Sequence, residues 1–288
     1  MNARIDAHHH FWTIGDFGYP WMAGPEMDPI RRDFGPADLA PALGELGVAG
    51  TVLVQAVADI RETETFLRIA DRTDFIRGVV GWVDLTSPEV VSDLDRLMAG
   101  PGGRWLVGIR HPAHDEQDAD WHSRPDVRRG LRAVQERGLT YDLLVKAREL
   151  PAAIRLAADL PDLRFVLDHI AKPAIASGAD PAWTSRIPGL AELPNVAVKL
   201  SGMITEADWG SWRVDDLRPY VERVIELFGP GRLMFGSDWP VCLLAGSYRE
   251  VLGAVAALLD SMSATEKDEI YGSTATRVYR LPAAPPGC

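Results

Sequence analysis

The chain contains 288 residues, of which 47% are hydrophobic and 25% are charged, as is usual for a soluble globular protein. The net charge of -11 argues against nucleic acid or an anionic membrane surface as a partner, and no apolar stretch approaches the roughly 18 residues of a membrane helix. The two cysteines, Cys242 and Cys288, are too few for a disulfide framework, and no signal-peptide pattern is evident, so we expect a cytoplasmic protein.

Short runs rich in Val, Leu and Ile recur along the chain and mostly lack polar alternation, which is typical of strands buried on both faces. The predicted strands are 4–7, 50–55, 76–84, 105–110, 140–144, 164–167, 195–200 and 232–235. Amphipathic stretches lie between them, and several begin with Pro, Ser, Thr or Asp and end near Gly, as helices do. The predicted helices are 36–46, 62–72, 88–98, 126–137, 150–159, 217–228 and 248–259.

Eight strands that alternate with helices over this length predict an α/β fold of the (β/α)8 TIM-barrel type, formed by a single domain over residues 1–288 with a frayed tail at 282–288. A doubly wound sheet would need fewer strands and usually a Gly-rich phosphate loop after a strand. The Gly-rich stretch 100–103 instead precedes a strand. Two long connections, 13–32 after the first strand and 111–124 after the fourth, are expected to build the pocket of the barrel.

Three consecutive histidines end the first strand. Side chains alternate along a strand, so His8 and His10 are expected to point to one side and His9 to the other. Two imidazoles that point together are a common start of a metal site or an acid/base site. Asp238 follows the last predicted strand and would meet them if the strands close into a barrel, although it is also compatible with a helix N-cap.

Polar or ionisable residues stand at the end of every predicted strand, and this convergence favours an enzyme. Of the neighbours Asp168 and His169 we expect only His169 to face the pocket. Arg110 is compatible with a site residue or a structural ion-pair partner, and Lys199 with a pocket cation or an inward barrel residue. The strand-end residues are His8, His10, Gln55, Asp84, Arg110, His111, Asp142, Asp168, His169, Lys199, Ser201 and Asp238.

Six motifs resemble the amidohydrolase superfamily, and in particular the branch that contains small sugar-lactone and pyrone-lactone hydrolases. Each motif alone is weak, but all six occur in order over nearly the whole chain. The likeness is greatest to enzymes of the L-fuconolactonase and L-rhamnonolactonase type. The motifs are IDAHHHFW at 5–12, YPW at 19–21, GIRH at 108–111, DHIAKP at 168–173, KLSG at 199–202 and FGSDWP at 235–240.

The resemblance implies hydrolysis of a sugar-acid lactone to the aldonate, with a small lactone as partner and a homodimer as one option for the assembly. Opening a lactone requires an activated water and a stabilised oxyanion. We assign Asp238 as the general base, with its pKa raised by burial, and His169, Arg110, His8 and His10 as groups that polarise the carbonyl. The residues expected to bind the substrate are Trp12, Trp21, Asp84, His111, Asp142, Lys172, Lys199 and Ser201.

The sequence departs from the metal-dependent members of the superfamily. Many of those have a bridging Lys after strand four or a His after strand five, where this chain has Arg110 and Asp142. The resemblance therefore implies that no cofactor is required. At most one divalent ion, such as zinc, would bind, and its candidate ligands are His8, His10, His169 and Asp238.

Two other functions are compatible with the same residues. Metal-dependent decarboxylases of aromatic or unsaturated carboxylic acids belong to the superfamily and share the first-strand His pair, the sixth-strand His and the eighth-strand Asp. A barrel that binds a sugar acid without turnover is the second alternative, because a fold alone does not prove catalysis. Loss of activity with a chelator and release of carbon dioxide would favour the decarboxylase.

Overall fold

The computed structural model describes residues 3–282. Its eight strands are all parallel and follow one another around one sheet in chain order. The strands are β1 Arg4–His9, β2 Val48–Val54, β3 Ile76–Gly81, β4 Leu106–His111, β5 Thr140–Leu143, β6 Arg164–Leu167, β7 Val196–Leu200 and β8 Leu233–Phe235. The α-helices are α1 Pro36–Leu46, α2 Ile60–Ala70, α3 Val90–Ala99, α4 Pro125–Glu136, α5 Leu150–Asp159, α6 Pro181–Ala191, α7 Val214–Phe228, α8 Tyr248–Leu258, α9 Ala264–Asp268 and α10 Thr274–Tyr279.

The sheet closes through the residues that follow β8. A parallel bridge joins His9 to Trp239, and the backbone N–H of His10 donates to the Trp239 carbonyl at 2.7 Å. The N–H of Asp238 donates to the His8 carbonyl at 2.8 Å. These bonds satisfy the open edges of the first and last strands, which an unclosed sheet would leave unpaired. The predicted (β/α)8 barrel is therefore confirmed.

Apolar side chains fill both layers of the barrel. A large buried cluster packs the outer faces of the strands against the helices, and a smaller one unites strand residues such as Val52, Val80 and Val166 with Tyr279 of α10. The C-terminal segment lies near the start of β1, because a Cβ on Gly272 would be 2.4 Å from the carbonyl oxygen of Ala3. One end of the barrel is thus covered, and the C-terminal ends of the strands remain available for a pocket.

Some predicted boundaries were wrong. β1 continues to His9, whereas β3 ends at Gly81 rather than at Asp84. Helix α6 was not predicted, because Pro188 and Gly189 lower the helix propensity of its sequence. It forms nevertheless, with Pro181 in its first turn and the Asp180 side chain accepting from the Trp183 N–H at 2.9 Å.

The C-terminal helices α9 and α10 were also not predicted. The tail prediction for 282–288 falls, apart from Pro282, outside the described residues. Between residues 3 and 282, every helix is too short or too polar to cross a membrane.

Candidate active site

A cavity of about 500 Å³ opens at the C-terminal ends of the strands. It combines polar groups from the strand ends with apolar side chains from the loops, which is the usual composition of a small-molecule site. Its lining residues are His10, Pro20, Trp21, Gln55, Ala56, Val57, Ala58, Arg110, Pro112, His114, Asp115, Leu144, His169, Lys172, Asp238 and Val241.

The three histidines of β1 separate as predicted. His8 and His10 point to the same side, and their Nε2 atoms lie 3.1 Å apart. His9 points elsewhere and its Nε2 lies 2.9 Å from the Thr51 hydroxyl. The Nδ1–H of His10 donates to the Val54 carbonyl at 2.7 Å, which fixes the ring toward the cavity. His8 is fully buried below His10 and is not among the lining residues.

Asp238 lies at the base of the cavity, among three imidazoles. Its Oδ1 is 3.4 Å from His10 Nε2, 3.7 Å from His8 Nε2 and 4.0 Å from His169 Nε2. Burial alone would raise the pKa of this carboxyl, but the imidazoles of His169, His10 and His8 hold its pKa below the ordinary value. Our expectation of a raised pKa was therefore wrong, and Asp238 is a carboxylate at neutral pH.

The carboxyl group of Asp6 stabilises the contact between β1 and the residues after β8, beneath this site. Asp6 accepts hydrogen bonds from the Ser237 N–H at 2.9 Å, the Ser237 hydroxyl at 2.6 Å and the Tyr248 hydroxyl at 3.0 Å. Burial raises the pKa of Asp6 to about 6, and these donors oppose that rise. Because Ser237 directly precedes Asp238, the buried carboxyl of β1 helps to hold the catalytic candidate in position.

Of the neighbours Asp168 and His169, only His169 lines the cavity, as predicted, while Asp168 lies in the barrel interior beside Lys199. Residues 169–172 all have positive φ angles, which cost about 1 kcal/mol or more for each non-glycine residue. This left-handed turn places His169 on the cavity wall, where its Nδ1 lies 2.9 Å from the Ser201 hydroxyl. Burial lowers the pKa of His169 to about 3, so its imidazole is neutral near pH 7.

Arg110 joins the cavity wall to the barrel interior. Its Nη1 donates to Asp168 Oδ2 at 2.9 Å, and its Nη2 donates to the Gln55 side-chain oxygen at 2.9 Å and to the Gln55 carbonyl. Its Nε–H has no hydrogen-bond partner within residues 3–282. A guanidinium stays charged when buried, so Arg110 supplies a fixed positive charge 3.3 Å from His8 Nε2, on the wall of the cavity that Asp238 also lines.

Lys199 and Asp142 lie below the cavity and form an interior ion cluster. The Lys199 ammonium is 2.7 Å from Asp142 Oδ2 and 2.9 Å from Asp168 Oδ1, and all three side chains are fully buried. The Tyr279 hydroxyl also donates to Asp142 at 2.6 Å. Lys199 is thus the inward barrel residue of the two alternatives, and neither it nor Asp142 lines the cavity.

The other predicted substrate contacts divide into two groups. Trp21 and Lys172 line the cavity, and Lys172 forms an ion pair with Glu206. The remaining four are not among the lining residues. Trp12 is buried against Trp21, and Asp84 is exposed. The His111 ring stacks on the Trp121 ring with 4.0 Å between the ring centroids. Ser201 is buried beside His169.

One wall of the cavity was missed by the sequence analysis. It consists of residues 56–58 after β2, whose apolar side chains carry no chemical signature. The Glu62 carboxyl group at the start of α2 accepts through Oε2 from the N–H groups of Ala56 at 2.8 Å and Val57 at 3.1 Å and so holds this wall. Burial raises the pKa of Glu62 to about 8. An acidic residue at a helix start was visible in the sequence, but its burial was not.

Two groups of residues bring three metal-ligating atoms within 4.8 Å of one another, among residues 3–282. The groups are His8, His10 and Asp238, and His8, Asp168 and His169. His10 and Asp238 are suitable ligands, because the Nδ1–H bond to Val54 leaves His10 Nε2 free. His8 is less suitable, because its Nδ1 lies 3.1 Å from the Lys199 ammonium and its Nε2 lies 3.3 Å from Arg110 Nη1, and both cationic groups would compete with a metal ion.

Comparisons with known proteins agree with this geometry. The family model described as amidohydrolase matches residues 5–281. An L-fucono-1,5-lactonase from Burkholderia ambifaria is 41% identical, over 98% of this chain and 97% of that protein. Two crystal structures of a Burkholderia multivorans amidohydrolase, with bound HEPES and with bound zinc, are 39% identical; they cover 97% of this chain and 100% of theirs, with TM-scores of 0.91 and 0.90. The chain therefore belongs to the amidohydrolase family.

Proposed function

We propose that this protein hydrolyses a sugar-acid lactone to the aldonate, with an L-fucono-, galactono- or rhamnono-lactone as the substrate type. The observation that carries the proposal is a buried carboxylate, Asp238, surrounded by three imidazoles in a cavity that the Arg110 guanidinium also lines. The L-fucono-1,5-lactonase from Burkholderia ambifaria, which matches along nearly its whole length, supports the substrate class.

Asp238 acts as the general base in this proposal. A water molecule attacks the lactone carbonyl carbon while Asp238 takes one of its protons, and a tetrahedral oxyanion forms. The bond between that carbon and the ring oxygen then breaks, and Asp238 returns the proton to the departing ring oxygen. The products are a carboxylic acid and a hydroxyl on one open chain. The acid ionises at neutral pH, so each turnover releases one proton.

The oxyanion is stabilised by fixed donors. Arg110 carries a permanent charge, and its buried Nε–H has no hydrogen-bond partner within residues 3–282, whereas Nη1 and Nη2 donate to Asp168 and Gln55. His169 lies on the same wall and is held by Ser201, and His10 is held by the Val54 carbonyl. Because these rings and the guanidinium are already oriented, little reorganisation is needed as charge develops on the carbonyl oxygen.

The outer cavity suits a small polyhydroxylated ring. Lys172, His114 and Asp115 provide charged or hydrogen-bonding groups for hydroxyls. Trp21 and Val57 provide an apolar surface for a ring face or a methyl substituent. The Trp21 indole N–H donates to the Ala56 carbonyl at 2.9 Å, which ties the loop after β1 to the wall after β2. The hydrolysis proposed here needs no divalent ion, because Arg110 and the imidazoles polarise the carbonyl.

The test is proton release from a panel of lactones, followed with a pH indicator. The panel contains fucono-, galactono-, arabinono- and rhamnono-lactones and a pyrone dicarboxylate, each with and without a chelator. We expect acid release from a six-carbon deoxysugar lactone that the chelator leaves unchanged, and no release with Asp238→Asn. Silence across the panel, or activity lost with the chelator together with carbon dioxide release from an aromatic acid, would overturn the proposal.

A further inference from the structure

Two cationic side chains line the cavity, and each of them is paired with an acid that does not line it. Arg110 Nη1 donates to Asp168 Oδ2 at 2.9 Å, and Lys172 forms an ion pair with Glu206. Within residues 3–282, every lysine or arginine on the cavity wall therefore has an acidic partner already. A carboxylate on a substrate would have to compete with Asp168 or Glu206 for its cation.

The pair between Lys172 and Glu206 joins two loops whose backbones are fixed. Lys172 ends the left-handed turn after β6, and its N–H donates to the His169 carbonyl at 2.8 Å. Glu206 lies after β7, and its N–H donates to the Met203 carbonyl at 3.2 Å. The Glu206 carbonyl accepts from the Ala176 N–H at 2.9 Å. Backbone bonds therefore hold the two loops together even where the side-chain charge of Glu206 is removed.

The charge of Lys172 acts inside the cavity. The two side chains of the pair are 18% and 19% exposed, so water screens their charges less than those of a surface pair. Burial lowers the pKa of His114, another lining residue; Asp115 opposes this change and Lys172 adds to it. Lys172 is therefore the cation that an anionic group in the outer cavity would meet.

We propose that Glu206 is a positioning residue that sets the charge selectivity of the cavity, because it occupies the Lys172 ammonium and so excludes lactones that carry a second carboxyl group. The inference rests on the proposed hydrolysis and narrows its substrate class to uncharged aldonolactones, as opposed to aldarolactones. A substrate carboxylate in this cavity loses hydration and gains no unpaired cation, which is unfavourable. Without the Glu206 charge, Lys172 is free to donate charge-assisted hydrogen bonds to such a group.

The test compares galactono-lactone with galactaro-lactone, which differ only in a terminal hydroxymethyl or carboxylate group. The wild type should favour galactono-lactone in kcat/KM. Glu206→Gln keeps the side-chain shape and should shift the ratio of the two kcat/KM values toward galactaro-lactone by about 10- to 100-fold, the range of a charge-assisted hydrogen bond. Glu206→Asp retains the charge and should retain most of the wild-type preference. The double variant Glu206→Gln, Lys172→Met should lose the shift.

The matched control is Glu226→Gln on α7, which removes an equal charge from an exposed ion pair with Arg223 and should leave the ratio unchanged. An ion pair that only joined the loops would give a different result: Glu206→Gln would lower the melting temperature and reduce kcat/KM for both lactones equally. An unchanged ratio in Glu206→Gln would therefore overturn the inference.

A binding measurement separates this inference from the proposed function. Titration calorimetry with galactarate and with galactitol, its uncharged counterpart, requires no turnover. Glu206→Gln should bind galactarate about 10- to 100-fold more tightly than the wild type does, with galactitol unchanged. If neither lactone is hydrolysed, the proposed function fails while the calorimetry still decides the charge selectivity. Equal galactarate affinity in the two proteins would contradict the role of Glu206.

Discussion

The backbone N–H of Asp238 donates to the carbonyl oxygen of His8 at 2.8 Å. The bond that closes the barrel therefore joins two residues of the site itself. Their side chains, with Asp238 Oδ1 3.7 Å from His8 Nε2, can meet only when the first and last strands are paired. A variant that disrupts the pairing of the first and last strands is consequently expected to lose the catalytic geometry as well.

Asp238→Asn tests the general base. The amide keeps the shape of the carboxylate but cannot take a proton from water, so kcat should fall about 10²- to 10⁴-fold. KM should change little, because the side chain acts on water rather than on the sugar. Steady-state kinetics on the best lactone of the panel measures both constants. Asp84→Asn, at an exposed position, is the matched control, and near wild-type turnover in Asp238→Asn would contradict the assignment.

Gly202→Ala should displace His169. Gly202 has a φ of +60°, and an added Cβ would lie 2.5 Å from His169 Nδ1, closer than real Cβ contacts. We expect at least a tenfold loss of kcat together with about 1 kcal/mol of backbone strain, seen in urea unfolding. Gly253→Ala in α8 is the control, since nothing lies within 4 Å of its added Cβ. Equal kcat values in the two variants would show that turnover does not depend on the position of His169.

Ser201→Ala should leave His169 without its hydrogen-bond partner. The hydroxyl lies 2.9 Å from His169 Nδ1, and its removal frees the ring to change tautomer or tilt. We expect a loss of about tenfold or more in kcat, with a smaller change in KM. Ser201→Thr retains the hydroxyl and should recover part of the activity. A defect that appears in KM alone would indicate a role in substrate binding instead.

Glu62 predicts how stability depends on pH. Its pKa is about 8 in the folded protein against 4.5 ordinarily, so between these values the folded state binds more protons than the unfolded state. The free energy of unfolding contributed by this group therefore falls as pH rises from about 4.5 to about 8. Glu62→Gln retains an acceptor for the Ala56 and Val57 N–H groups and removes the titration.

Urea unfolding at a series of pH values measures this effect. The buried imidazoles of His9, His122 and His169 have pKa values lowered to about 3 from the ordinary value of 6.5. Their contribution to the free energy of unfolding therefore increases as pH rises from about 3 to about 6.5. The difference between the wild type and Glu62→Gln in the interval from about 6.5 to about 8 therefore isolates the contribution of Glu62. Wild-type stability should decline there, and the decline should be smaller in Glu62→Gln. Parallel curves for the two proteins would refute the raised pKa.

Much of the fold followed from local patterns. Short apolar runs without alternation predicted buried parallel strands, and the eight of them predicted the barrel that the structure confirms. The two-residue period of a strand predicted that His8 and His10 would point together, and the motifs predicted the family that the comparisons confirm. These features depend on residues close in sequence, so the sequence alone could determine them.

The side-chain environments depended on the tertiary structure. His169 lines the cavity while Asp168 lies in the barrel interior, because four successive residues adopt the left-handed conformation, which no strand periodicity predicts. Lys199 became an interior residue because barrel closure placed it beside Asp142, Asp168 and His8. The pKa of Asp238 falls rather than rises because three imidazoles from two other strand ends surround it. Charges, tautomers and burial are set by neighbours distant in sequence, and only the closed barrel brings those neighbours together.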